Sequence, residues 1–167
     1  MEIYLLRHGL AVERGAQDYN SDAERPLTDE GERKLRDIAL AMRKMELEFD
    51  LILSSPYTRA RQTAEIVADG LKARKQLEYS DALTPDGSMR ELIEFLNRRK
   101  PKPDSILLVG HEPYLSGLVS LLVSGNRGLQ VVMKKGGLAK LEVDLLTNGS
   151  CAALDWLLTP GQMRLMS

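Results

Sequence analysis

Apolar residues along this chain fall into short unbroken runs separated by stretches of helical spacing. Glu2 to Leu6 is the first run, rich in strand formers, and it stops at Arg7-His8-Gly9. A polar stretch from Glu13 to Arg25 follows and reads as a loop. Thr28 then opens a helix whose inward positions are Leu35, Ile38, Ala39, Met42 and Met45. A second strand is predicted over Asp50 to Ser54. The next helix has Pro56 at or near its first position and Ala60, Ala64, Val67, Ala68 and Leu71 facing inward. Gln76 to Tyr79 reads as a short edge strand, and Arg90 to Arg98 as a helix burying Leu92, Ile93 and Leu96. After the break at Lys100-Pro101-Lys102-Pro103, Ser105 to Val109 is apolar without alternation, the pattern of a parallel strand covered on both faces. Leu115 to Val123 predicts an apolar helix. Leu138 to Leu145 alternates, and Ala153 to Leu158 is the last strand, joined to it by a turn at Thr147-Asn148-Gly149. Strands alternating with helices predict a three-layer α/β/α sandwich. Its sheet is mostly parallel, and the final hairpin adds at least one antiparallel strand.

Length and charge narrow the classes. With 167 residues the chain suits one domain, taken here as 1–167. Lys and Arg number 23 against 24 Asp and Glu, so no overall positive charge argues for nucleic acid or an anionic membrane. No apolar run approaches the roughly 20 residues of a membrane span, and no signal peptide is evident. A single cysteine, Cys151, cannot form an internal disulfide, which points to a reducing, cytoplasmic setting. Nothing in the pattern calls for a dimer, and a monomer is expected.

The chemistry concentrates at the strand ends. The sequence holds no G-x-x-x-x-G-K-[ST], G-x-G-x-x-G or G-x-S-x-G motif. Both histidines, His8 and His111, directly follow predicted strands, which puts them on the carboxyl rim where open α/β sheets bind ligands. Arg7, Arg25 and Arg59 fall on the same rim. Taken singly, each would be an ordinary surface charge. Together they form a cradle of guanidinium forks suited to phosphate oxygens beside an imidazole. Two histidines and a cysteine cannot build a four-ligand Cys/His zinc site. The loose carboxylates Asp18, Asp22 and Asp86 show no pairing that would call for a metal, and none is expected, nor any other cofactor.

Four segments resemble motifs of the histidine phosphatase (phosphoglycerate mutase-like) superfamily. They are Leu6-Arg7-His8-Gly9, Arg25-Pro26-Leu27-Thr28-x-x-Gly31, Ser54-Ser55-Pro56-Tyr57-x-Arg59-Ala60-x-Gln62-Thr63-Ala64 and Val109-Gly110-His111-Glu112-Pro113. The small size, Leu83-Thr84-Pro85-x-Gly87 and Trp156 to Pro160 resemble its SixA-type phosphohistidine phosphatases. The resemblance implies a phosphoglycerate mutase-like fold with His8 as nucleophile. Arg7, Arg59 and His111 would hold the phosphoryl oxygens, with Arg25 as a further substrate contact. It implies a phosphohistidine substrate on a phosphotransfer protein or domain, of a histidine kinase phosphorelay or a sugar phosphotransfer system. The alternative is a phosphatase of small phosphate esters using the same His8. Larger members carry a glutamate acid and a lid after the third strand. Here Ser80 to Asp86 holds no glutamate and leaves room only for a short loop, which favours a labile P–N bond and an open rim. Two roles stay open for Glu112: a proton donor, or an acid complementing a helix N-terminus. The charge state of His111 is also open, since phosphate favours its protonation and the arginines oppose it.

Overall fold

The computed structural model describes residues 1–15 and 19–167. Asp18, one of the loose carboxylates, lies outside the described residues. Six strands form one sheet in the order β3-β2-β4-β1-β5-β6. They are β1 (Glu2–Arg7), β2 (Leu51–Ser54), β3 (Leu77–Tyr79), β4 (Ser105–Gly110), β5 (Leu138–Val143) and β6 (Ala152–Leu158). β1 to β4 run parallel, while β5 and β6 are antiparallel additions, so the expected hairpin is present.

Alternating side chains of each strand enter two separate apolar layers, because successive residues of a strand face opposite sides. Tyr4, Leu6, Ile52, Leu107 and Val109 meet α1 (Asp29–Lys44), α2 (Thr58–Gly70) and the short α5 (Pro160–Arg164). Ile3, Leu5, Leu53, Ile106 and Leu108 meet α3 (Met89–Arg98) and α4 (Tyr114–Ser124). This is the three-layer α/β/α arrangement expected, and strand β4 is buried throughout its apolar run.

Some boundaries differ from the periodicity. Pro56 lies outside α2, whose cap is Tyr57; the chain is still turning there, with the Tyr57 amide donating to Ser55 Oγ at 3.3 Å. Met45 and Leu71, expected inward, are the C-caps of α1 and α2; Leu71 is half-buried and still packs on that core layer, while Met45, where the chain leaves α1, is only half-buried. A 3-10 turn at Asp22–Glu24 falls in the loop read as irregular. Helix α5 is too short to show a period, yet Thr159 and Gln162 form a capping box at its start. Among the described residues no helix is long and apolar enough to cross a membrane.

Candidate active site

Three neighbouring strand ends assemble the centre. Strands β2, β4 and β1 lie side by side, with Ser54 opposite Val109 and Arg7 opposite Gly110. The next residue on each is Ser55, His111 and His8. The His8 amide donates to the Gly110 carbonyl at 3.0 Å and that of Ser55 to Val109 at 3.0 Å, continuing the ladder into the site. The two imidazole rings lie 5.2 Å apart, centre to centre.

His8 is held in one tautomer. Its Nδ1 lies 2.8 Å from the Gly9 carbonyl, which can only accept, so Nδ1 carries the hydrogen and Nε2 the lone pair. Arg59 Nε donates to that Nε2 at 3.3 Å. Burial is the largest cause and pushes the His8 pKa down to about 3; the Gly9 bond opposes it, and the nearby charges of Arg59, Arg7 and Lys135 add to the lowering. The ring is therefore neutral at ordinary pH, with its Nε2 lone pair accepting from Arg59 Nε. His111 is similarly lowered to about 3, by burial first and then by Arg59 and His8. This answers the charge question for the free protein: His111 is neutral.

Arg59 is 2% exposed and held from behind. Its Nη1 donates to the Asp22 backbone carbonyl at 2.7 Å and its Nη2 to Asp22 Oδ2 at 2.9 Å. Asp22 Oδ1 accepts from Arg25 Nε at 3.0 Å and Nη2 at 2.7 Å, and Arg14 adds a third guanidinium at 3.3 Å. Burial works to raise the Asp22 pKa, but bonds from Arg25 and Arg59 prevail and hold it down at about 2. Arg25 reaches the same cleft as His8, with its remaining Nη1 on the Val12 carbonyl. In the free protein its Nε and Nη2 are spent on positioning Asp22.

The quoted segments have evident local duties. Gly31 lies where a Cβ would come within 2.2 Å of the Leu10 carbonyl, so α1 approaches that loop only as glycine allows. Thr28 caps α1 through Gly31 N, and its own amide donates to Leu10 O at 3.0 Å. Gln62 Oε1 accepts the Leu27 amide at 2.8 Å, and Thr63 Oγ1 accepts the Gly9 amide at 3.1 Å. Helix α2 is thereby tied to both loops that frame His8. Arg7 Nη1 donates to Met133 O at 2.8 Å, and Gly136 N–H to the carbonyls of Arg7 and His8 at 3.0 and 3.2 Å.

The resulting cleft of about 480 Å³ is lined by Arg7, His8, Arg25, Arg59, Glu112 and Lys135, among others. Among the described residues, two buried polar atoms beside His8 have no hydrogen-bond partner: Arg7 Nε and His111 Nδ1. His111 Nε2 is taken by Ser55 Oγ at 2.8 Å. Glu112 Oε1 accepts the Ser116 amide at 2.8 Å, which is the helix-terminus role, while its side chain also lines the cleft. Sequence reasoning missed Asp22 as a partner of the arginines and did not place Lys135 at the cleft. The i,i+3 spacing of Asp22 and Arg25 was a visible signal; the bond to Arg59 across 37 residues was not. Among the described residues no group of His, Cys, Asp or Glu is arranged to hold a metal ion.

Residues 3–84 match the family model of the histidine phosphatase superfamily (branch 1). Phosphohistidine phosphatase SixA of Escherichia coli is 29% identical over 166 residues, covering 99% of this chain and 98% of that protein. The chain belongs to the histidine phosphatase superfamily. Its fold is similar to that of the protein histidine phosphatase SixA solved with tungstate, with TM-score 0.83, 29% identity and coverage of 96% and 98% of the two chains. An uncharacterized protein of Picosynechococcus sp. is 37% identical over 142 residues, 84% of each chain. As a histidine phosphatase superfamily member the chain is a phosphatase-type hydrolase, and the phosphoglycerate mutase-like sandwich is its fold.

Proposed function

We propose that this chain is a phosphohistidine phosphatase that works through a phosphorylated His8. The observation that carries the reading is the neutral, tautomer-fixed His8 Nε2 beside two buried groups without partners, Arg7 Nε and His111 Nδ1. Unpaired buried polar atoms are costly, and phosphoryl oxygens would satisfy them. The Nε2 lone pair attacks phosphorus in line and a P–N bond forms as the bond to the leaving nitrogen breaks. That electron pair stays with the leaving imidazole. His8 keeps its Nδ1 hydrogen and becomes a phosphorylated imidazolium, its positive charge stabilised by the Gly9 carbonyl. Water then attacks the same phosphorus, the His8 P–N bond breaks back onto Nε2, and the water proton leaves with orthophosphate or to solvent. Arg7, Arg59 and His111 stabilise the three equatorial oxygens. Arg25 serves the phosphate through Asp22 and Arg59.

The substrate class is supported by full-length similarity to SixA. It is also supported by the short link from Tyr79 to Met89, which holds only a 3-10 turn. Our reading is thus one domain over 1–167 without a lid, open to a phosphorylated side chain of a phosphotransfer protein and acting as a monomer in the cytoplasm. Small-ester hydrolysis is the second reading, favoured by Glu112 in the cleft, a carboxyl group placed where a proton donor would serve an alkoxide leaving group. Phosphate release from a phosphohistidine protein, a phosphoserine peptide and a sugar phosphate separates them. We expect selective loss of phosphohistidine and an acid-labile label on wild type, both reduced on the order of 10³-fold or more in His8→Ala. Faster turnover of the sugar phosphate would overturn the substrate assignment. Undiminished activity in His8→Ala would overturn the nucleophile.

A further inference from the structure

A second cavity adjoins the cleft. It measures about 510 Å³ and shares Arg14 and Arg25 with the cleft of His8. Asp22 lines it and bonds through to Arg59, so this carboxylate forms part of the partition between the two spaces. Beyond the partition the lining is the loop residues Gly15, Tyr19, Asn20 and Ser21 together with Tyr57, Pro85 and Asp86.

Both Tyr57 and Asp86 are firmly placed. Tyr57 caps α2, its ring 5.3 Å from that of His111 and edge-on to it, with the Arg59 guanidinium 5.5 Å from its centre. Asp86 is exposed but sits in the turn Thr84-Pro85-Asp86-Gly87, closed by the Gly87 amide on Thr84 O at 2.9 Å. A Cβ on Gly87 would fall 2.3 Å from the Ala82 carbonyl, so the turn packs directly on the preceding 3-10 turn. Neither Tyr57 nor Asp86 has a part in the phosphate chemistry described above.

The two cavities form a polar gradient. At one end are guanidiniums and Lys135 around His8, with Glu13 and Glu112 beside them; at the other, past the shared Arg14 and Arg25, are an aromatic face and a carboxylate. A dianionic phosphoryl group joined to a protonated imidazole has the same polarity. The flat cation suits an aromatic ring and a counter-charge, whereas the phosphoryl oxygens suit arginine. We infer that the chamber bounded by Tyr57 and Asp86 is the leaving-group subsite and selects a cationic heteroaromatic ring, the imidazolium of phosphohistidine. This rests on the reading under Proposed function and deepens it. The proton already on the outer nitrogen of the leaving ring makes it depart as neutral imidazole when the P–N electron pair returns. Asp86 stabilises that protonated ring and need not itself donate a proton.

The test compares kcat/KM on two small probes, N-phosphoimidazole and p-nitrophenyl phosphate, which differ in leaving group and avoid protein docking. Asp86→Asn is expected to lower the first about fivefold, the worth of one partly solvated charge pair, and to raise the second by removing a carboxylate near the developing phenolate. Asp86→Glu restores the ratio. Tyr57→Leu lowers the ratio by a similar factor through the lost ring contact. Parallel changes on both probes, or no change with either variant, would overturn the subsite. A wild type that hydrolyses the aryl ester and leaves N-phosphoimidazole intact would instead sink the phosphohistidine reading itself, and a wild type inert toward both probes would sink both.

Discussion

Two buried neutral histidines carry a price in acid. His8 and His111 have ordinary pKa values of 6.5 and folded values near 3, both lowered mainly by burial. Between those values the unfolded chain binds protons that the folded chain refuses, so stability falls as pH drops from 6.5 toward 3. Each histidine contributes a slope of about 1.4 kcal/mol per pH unit in that window. Asp22, with a folded pKa of about 2 against 3.8, contributes stability present above 3.8 and lost as pH falls toward 2. Denaturant unfolding at stepped pH should show the decline, and His111→Asn should remove about half of the histidine slope. An unchanged slope would mean that His111 titrates normally. Asp22 also bears on catalysis, because it fixes the end of the Arg59 fork and leaves Nε toward His8. Asp22→Ala should cut kcat about 10–100-fold, as loss of a group orienting a contact residue does. Steady-state kinetics beside the melting curve would check this; equal kcat with only a lower melting temperature would reduce Asp22 to a structural role.

At the scale of elements, close approach matters more than propensity. Gly31 lets α1 meet the Leu10 carbonyl, and Gly31→Ala would force the helix or the loop apart. A destabilisation of about 1–3 kcal/mol is expected from such overpacking, read as a shift of the denaturant midpoint. A shift near zero would show that the loop yields freely. The same elements show what the sequence made legible. β1, β2 and β4 stood out because strands covered on both faces are continuously apolar, and α1 and α3 because amphipathic helices show their period. His8 and His111 were legible as site residues because each follows such a strand. Helix α5 was not, since five residues show no period and only Thr159 and Gln162 marked it. Asp22 was misread because its bonds to Arg25 and Arg59 are tertiary contacts, invisible in a list of neighbours. Lys135 was not placed at the cleft for the same reason: the glycine pair Gly136-Gly137 turns its loop back onto β1, with Gly136 at φ +80.

On the scale of the whole molecule, a net charge of −1 conceals a strongly positive cleft. Arg7, Arg14, Arg25, Arg59 and Lys135 line it, with Glu13 and Glu112 as the opposing charges. Such focused charge draws in phosphorylated substrates and is screened by salt. Competitive inhibition by inorganic phosphate, the product of the proposed reaction, should therefore weaken as ionic strength rises, and Lys135→Gln should flatten that dependence. A dependence unaltered by Lys135→Gln would remove that residue from the field at the site. Sheet order carries a different consequence, for how the protein comes into being. β4 lies between β1 and β2, although it is made long after both. A growing chain that has reached residue 84 already holds Arg7, His8, Asp22, Arg25 and Arg59, yet its first two strands have no edge in common. They wait for residues 105–110 to be inserted between them. The closure joins segments about a hundred residues apart, so it is a late and non-local event in folding. His8 and its neighbouring arginines are therefore synthesised first and are drawn together only when the strand that delivers His111 locks them in place.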